Sequence, residues 1–360
     1  MSTYAEAGVN IAQGDKASRI AYEGAKSTFS SRKGMIGQPV EDDGGFAGLL
    51  DMGNFYLVQG DDGVGTKSQV AEAIGKFDTL GFDLLAMVCD DTVCVGAETI
   101  SMTNTLDINK VDSEMMRELM SGLSEACRQQ KIVIPGGEIA ELGALVNGGV
   151  WNATAVGIVK KDRVITGANI QVGDAVISLF EPGFRSNGFS LVRHIMEKNL
   201  GKDAYQQTSP FGKSWGEALL VPSTIYSKAV LALIGRFHES PKVTVKGIVH
   251  ITGGGIPGNM NRILKKTGFG VALDNLFDLS DLVKSVQTMG DVADEEAYRA
   301  WNMCNGMMLV VAQKDVEQTI NILAENDVKS QVSGKIIPER KIKFISKGVQ
   351  KHGQWLEFDY

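Results

Sequence analysis

The chain has 360 residues, too many for one ordinary domain, so two domains of about 150–200 residues are expected. With 43% hydrophobic and 22% charged residues, it has the composition of a chain with a normal core rather than of a disordered one. A formal charge of −7 argues against a general affinity for nucleic acid or anionic membranes, so an anionic substrate must be met by local amides, a metal ion or a few basic side chains.

Residues 1–50 are polar and glycine-rich and read as a loop that ends in Glu41-Asp-Asp-Gly-Gly-Phe-Ala-Gly48. No basic-then-apolar leader opens the chain and no run of about 18 apolar residues follows, so a cytoplasmic protein without a membrane span is expected. Phe55–Gln59 reads as a strand and Gln69–Ile74 as a short helix. Phe82–Gly96 is apolar at helical spacing, interrupted by Asp90 and Asp91. A strand over Thr99–Asp107 precedes an amphipathic helix over Ser113–Gln130, with Ser113 as N-cap. Lys131–Pro135 and the β-branched Val150–Val159 read as strands.

The polar connection Lys160–Val172 places a domain boundary near residue 168, giving domains of 1–168 and 169–345 and a tail of 346–360. The second half reads as strands at Ala175–Leu179, Lys246–Ile251, Gly270–Leu273 and Met307–Ala312. Helices are read at Phe189–Asn199, Ser223–Ile234, Asn259–Lys266, Leu279–Met289 and Val316–Glu325. Both halves therefore suggest α/β layers with mixed sheets. Cys89, Cys94, Cys127 and Cys304 show no paired-ligand spacing and read as structural thiols.

Chemistry gathers in a few polar stretches. Gly60-Asp-Asp-Gly-Val-Gly-Thr-Lys-Ser68 follows a strand, and its glycines and Lys67 suit phosphate, although Thr66 separates the last glycine from the lysine and spoils the Walker pattern. Its two carboxylates make sense if magnesium bridges them to phosphate; the plain alternative is a polar hairpin loop. Asp90-Asp91 in an apolar helix needs a partner or water, and a surface-facing pair is the plain reading. With Pro135-Gly-Gly-Glu-Ile-Ala-Glu141, these acids suit one multi-carboxylate magnesium site. Arg185-Ser-Asn-Gly188 before a helix is either a cap or a phosphate seat.

His250-Ile-Thr-Gly-Gly-Gly255 opens a second glycine loop, and Gly253-x-Gly255-x-x-Gly258 with Asp274 about 20 residues on also fits a dinucleotide fingerprint. That rival, an NAD-dependent oxidoreductase, leaves the acidic clusters without a task. A non-catalytic nucleotide-binding regulator is the other alternative. The four histidines lack metal spacing.

Taken in order, these segments resemble the phosphoribosylformylglycinamidine cyclo-ligase (AIR synthetase) family. The resemblance runs through Tyr4–Ile11, Gly44-Gly45-Phe46, Asp62-Gly-Val-Gly-Thr-Lys67, Gly81–Met87 and Gly96-Ala-Glu98. It continues through Gly136–Glu141, Ser186–Arg193, Pro222–Tyr226, His250–Gly255, Tyr298–Asn302 and Gly306-Met307. It implies two α/β domains, an N-terminal sheet that pairs across a homodimer, and ATP at the domain and subunit interface. The implied reaction turns formylglycinamidine ribonucleotide and ATP into aminoimidazole ribonucleotide, ADP and phosphate.

By that resemblance Asp62, Asp91 and Glu138 hold magnesium, and Lys67, Asp62 and Asp91 are catalytic. Gly63, Val64, Gly65, Thr66 and Lys67 meet ATP phosphates, while Ser186, Asn187, Gly188, Gly253, Gly254 and Gly255 shape the nucleotide and substrate cleft. The family pattern is broken at Asp61, Asp90 and Arg185, so two extra charges are expected at the site, and a relative acting as a selenophosphate- or thiamine-phosphate-type kinase is the runner-up.

Overall fold

The structure is a computed structural model that describes residues 2–8, 11–41 and 45–360. Val9, Asn10 and Gly44 of the resembling segments therefore lie outside the described residues, as do Asp42 and Asp43. The stretch expected as a loop holds helix α1 (Ile11–Lys26) and strands β1 (Gln38–Val40) and β2 (Gly48–Asp51). Then come β3 (Phe55–Gly63), α2 (Lys67–Ile74), α3 (Leu80–Cys94), β4 (Glu98–Ile108), α4 (Ser113–Gln130), β5 (Gly137–Glu141) and β6 (Gly149–Lys160). The cap of α4 is Asp112 rather than Ser113: its carboxylate accepts from the Glu114 and Met115 amides. Lys131–Pro135 forms only a single bridge, Val133 to Ser101, and the strand falls on the acidic cluster behind it.

The first sheet runs β1-β2-β3-β6-β4-β5, antiparallel except for β4 and β5. Helices α3 and α4 cover one face, where Leu84, Leu85 and Val88 meet Met102, Leu106, Ala155, Leu119 and Leu123. Helix α3 is buried nearly all round, which explains a sequence too apolar to show an amphipathic stripe. Its far side meets the second domain.

That domain contains β7 (Ala175–Phe180), α5 (Phe189–Leu200), α6 (Trp215–Leu219), α7 (Ser227–Ile234), β8 (Val245–His250), α8 (Gly255–Leu264) and β9 (Gly270–Leu273). It closes with α9 (Asp281–Gly290), α10 (Asp294–Ala300), β10 (Asn305–Val311), α11 (Val316–Glu325), β11 (Ser330–Ile337), β12 (Ile342–Ile345) and β13 (Trp355–Phe358). The sheet order is β13-β12-β9-β11-β7-β10-β8. Strands β7 and β10 are buried on both faces: Val176, Met308 and Val310 meet α5, α8 and α9, whereas Ile177, Leu179 and Leu309 meet α7 and α11. Residues 346–360, expected as a tail, supply β13 and so belong to this sheet. No helix among the described residues is long and apolar enough to cross a membrane.

Candidate active site

The alternation of β3 sorts its two aspartates. Val58, Gly60 and Asp62 face α3, while Gln59 and Asp61 face away. Asp61 bonds the Thr154 hydroxyl on the open face of the sheet and brings no charge to the α3 side. Asp62 accepts from the Gly63 amide at 2.7 Å. Burial, with the nearby Asp91 carboxylate in a lesser role, pushes its pKa up from 3.8 to about 6.

Asp91, near the end of α3, is pushed up to about 7, chiefly by burial. Its Oδ1 lies 2.8 Å from Nδ1 of His250, the last residue of β8. Burial and then the Arg185 cation drive the His250 pKa down to about 3, so the ring is neutral. The adjacent Asp90 turns the other way, into the protein, where its Oδ2 accepts from Arg185 at 2.8 Å and its Oδ1 from the Tyr226 and Ser227 amides at 3.0 Å each. Neither Asp61 nor Asp90 therefore adds a charge beside Asp62 and Asp91, contrary to the sequence expectation.

Three glycine-bearing loops converge beside this pair. Thr66 Oγ1 lies 3.4 Å from Ser190 Oγ, and a Cβ on Gly65 would lie 3.8 Å from the Ser186 carbonyl. A Cβ on Gly253 would lie 3.8 Å from Asn187 Nδ2, which brings the second glycine loop against the first turn of α5. Ser186 Oγ and Asn187 Oδ1 are buried polar atoms without a hydrogen-bond partner, as expected of groups awaiting a ligand. Two glycines here are packing necessities. Gly188 has φ +77° and abuts Trp301 and the Ala300 carbonyl, and a Cβ on Gly255 (φ +59°) would lie 1.8 Å from the Tyr298 carbonyl oxygen.

Two expected contributors stand elsewhere. The Lys67 ammonium is fully buried, donating to Asp83 at 2.8 Å and to the Val221 carbonyl at 2.7 Å, while the Ser223 amide donates to the same carboxylate at 3.0 Å. It ties α2 to α3 and to the segment before α7 and presents no charge to the cleft. The Gly63 and Val64 amides are also engaged, by Asp62 and by the Trp151 carbonyl, which leaves those of Gly65 and Thr66 for a phosphate.

Glu138 is exposed on β5, and the register Gly63–Asn152–Thr105–Glu138 puts it three strands from the end of β3, about 14 Å away at ~4.8 Å per strand. Among the described residues no three His, Cys, Asp or Glu side chains gather as a metal site, so the expected trio is not assembled within one chain. Asp62 and Asp91 alone fit magnesium, which takes one or two protein carboxylates plus phosphate oxygens and relieves two acids crowded in a dry site. The dinucleotide reading fails on topology: β8 and β9, which would flank the fingerprint helix as parallel neighbours, are separated by β10, β7 and β11.

Residues 44–159 match the family model described as AIR synthase related protein, N-terminal domain, and residues 171–347 match its C-terminal counterpart. The chain is 41% identical over 351 residues to the phosphoribosylformylglycinamidine cyclo-ligase of Pyrococcus furiosus, covering 96% of this chain and 100% of that one. The enzyme of the same name from Methanocaldococcus jannaschii is 34% identical over 355 residues, 98% of each chain. The chain belongs to the phosphoribosylformylglycinamidine cyclo-ligase family.

Solved structures extend the fold of this cyclo-ligase-family chain beyond its close relatives. A chain of the HypE-HypF complex superposes with a TM-score of 0.63 at 15% identity, covering 89% of this chain and 95% of that one. T. maritima PurL complexed with ATP superposes with a TM-score of 0.57 at 13% identity, covering 92% of this chain and 47% of that one. At such identities the likeness is one of fold. Sequence spacing could not reveal the Asp91–His250 and Lys67–Asp83 pairs, whose partners come from different elements.

Proposed function

We infer that this chain is an ATP-dependent cyclo-ligase that closes the imidazole ring of aminoimidazole ribonucleotide from formylglycinamidine ribonucleotide, a step of purine synthesis. Family membership over nearly the whole chain carries the inference. In the reaction the formyl oxygen takes the γ-phosphoryl group of ATP and ADP departs. The amidine-side nitrogen then attacks the activated formyl carbon, and phosphate leaves with that oxygen. Nothing in this sequence calls for a protein nucleophile, so alignment of the two substrate ends and neutralisation of phosphate charge do the catalytic work.

The chain's own residues divide that work as follows. Asp62 and Asp91 hold magnesium, which neutralises phosphate charge when bound. Phosphate is met by the Gly65 and Thr66 amides at the start of α2. Ser186, Asn187 and Gly253, whose loops touch, line the substrate side of the cleft. Lys67 acts from within, by holding α2 against α3.

The assembly is a homodimer joined through the open face of the first sheet. Ile100, Val133 and Val150 are exposed on that domain beside a groove of about 560 Å³ lined by Asp61, Thr103, Thr105, Asn152 and Thr154. Glu138 lies on this sheet's edge strand, where a second copy can approach it.

The test is to incubate purified protein with magnesium, ATP and formylglycinamidine ribonucleotide and to follow ADP and aminoimidazole ribonucleotide together. Equal rates of appearance are expected. ADP release on another small substrate with no aminoimidazole product would instead mark a phosphorylating relative.

A further inference from the structure

Arg185 is buried completely, one residue before Ser186 of the cleft, with its backbone in the left-handed region at φ +60°. A buried guanidinium is costly unless it is paired; the four Nη donors find acceptors, while Nε–H has none. Nη1 donates to Glu181 Oε2 at 2.9 Å and to the Thr224 carbonyl at 2.7 Å; Nη2 donates to Asp90 Oδ2 at 2.8 Å. Those acceptors are themselves fixed. Asp90 receives the Tyr226 and Ser227 amides at the start of α7, and Glu181 receives the Thr224 amide at 3.2 Å. The guanidinium is thus anchored independently of its fourth neighbour, Nε2 of His250, 2.9 Å from Nη2.

That fourth contact determines the state of the imidazole. A guanidinium has donors only, so Nε2 must be the bare, accepting nitrogen. A neutral ring then carries its single proton on Nδ1, and Nδ1–H donates to Asp91 Oδ1, 2.8 Å away. Asp91 alone of these side chains reaches the cleft: its side chain is 19% exposed, those of His250 and Arg185 not at all.

We propose that Arg185 is a positioning residue for ring closure. It holds His250 as the Nδ1–H tautomer, and His250 in turn pins one oxygen of Asp91 and turns the other towards the magnesium and phosphate site. The arrangement is that of an outer partner orienting a metal-binding carboxylate, a kind of contact whose loss typically costs 10–100-fold in metal affinity or activity. The role rests on the assignment of Asp91 made above, but the tautomer does not.

The first test is therefore made on the full chain free of magnesium and nucleotide, by 15N NMR of labelled histidines near pH 7.5. The chain has four histidines, and His250→Gln identifies the signals of His250 by their loss. A bare Nε2 with a protonated Nδ1 is expected. An Nε2–H tautomer or an imidazolium overturns the proposal whether or not the protein makes aminoimidazole ribonucleotide.

The second test removes the anchor. Arg185→Met alone strands two buried carboxylates and can unfold the chain, so it is combined with Asp90→Asn and Glu181→Gln. In the folded triple variant the tautomer preference should relax, and the magnesium concentration for half-maximal turnover should rise about 10–100-fold. Arg185→Lys, which keeps one donor towards Nε2, should recover part of the loss. A folded triple variant with the magnesium dependence of the wild type overturns the proposal.

Discussion

Replacing Asp62 with asparagine should cripple the enzyme and at the same time stabilise the protein that has no ligand. In the folded chain this carboxyl ionises at about 6 instead of 3.8, because burial and secondarily Asp91 oppose its charge. A group whose folded pKa lies above its unfolded value carries no penalty below pH 3.8. The penalty grows between 3.8 and about 6 and is complete above that. A rise from 3.8 to about 6 corresponds to about 3 kcal/mol at pH 8. Asparagine keeps the side chain's size and removes the charge.

With an unfolding entropy of about 2.1 cal/mol/K per residue over a chain of 360 residues, 3 kcal/mol corresponds to about 4 °C in Tm. Scanning calorimetry of wild type and Asp62→Asn without magnesium or nucleotide should show the variant higher by that amount at pH 8. The difference should shrink towards zero as the pH approaches 4. Turnover of the same variant should fall by two or more orders of magnitude. A variant that melts lower than wild type at pH 8, or by an amount independent of pH, would refute the claim that Asp62 is held charged at a cost.

Lys67→Met should lower the stability of the chain by about 3–5 kcal/mol, measured as a shift in urea midpoint, because it leaves Asp83 buried without its cation. A raised KM for ATP with unchanged stability would put the ammonium on phosphate after all. Gly255→Ala should abolish soluble expression, since its Cβ would overlap the Tyr298 carbonyl, while Gly253→Ala, which meets nothing closer than 3.8 Å, should fold normally. The yield of soluble protein separates the two variants, and circular dichroism of Gly253→Ala should match the wild type. Val150→Glu, placing a charge on the open face of the first sheet, should shift the protein from dimer to monomer in light scattering, and a wild-type mass for that variant would move the interface elsewhere.

Much of the frame was legible from local pattern. The clean alternation of Val150–Val159, the amphipathic stretch Ser113–Gln130 and the buried runs of β7 and β10 appear where the sequence places them. Residues 1–50 misled because few apolar side chains mark α1, and β1 and β2 are too short for alternation to register. The acidic cluster at 135–141 misled for another reason: its glycines signal a turn, but the segment is drawn into the sheet by β4. Strands β11 to β13 escaped notice because Gly334 and scattered lysines break their apolar run.

By itself the sequence determined the two-domain α/β class, the order of the motifs and, through them, the family, because each depends on periodicities and glycine positions that act over a few residues. Through the family resemblance it marked Asp62, Asp91 and Glu138 as one magnesium trio. Only the tertiary structure decided which neighbouring acids share the site and which turn away, since that depends on strand alternation for Asp61 and on α3 lying between two domains for Asp90. It also withdrew Lys67 into the core, left Glu138 three strands away, and joined Asp91 to His250 across 159 residues and Arg185 to Asp90 across 95. A buried charge finds its partner through the packing of whole elements, and no spacing within the chain carries that information.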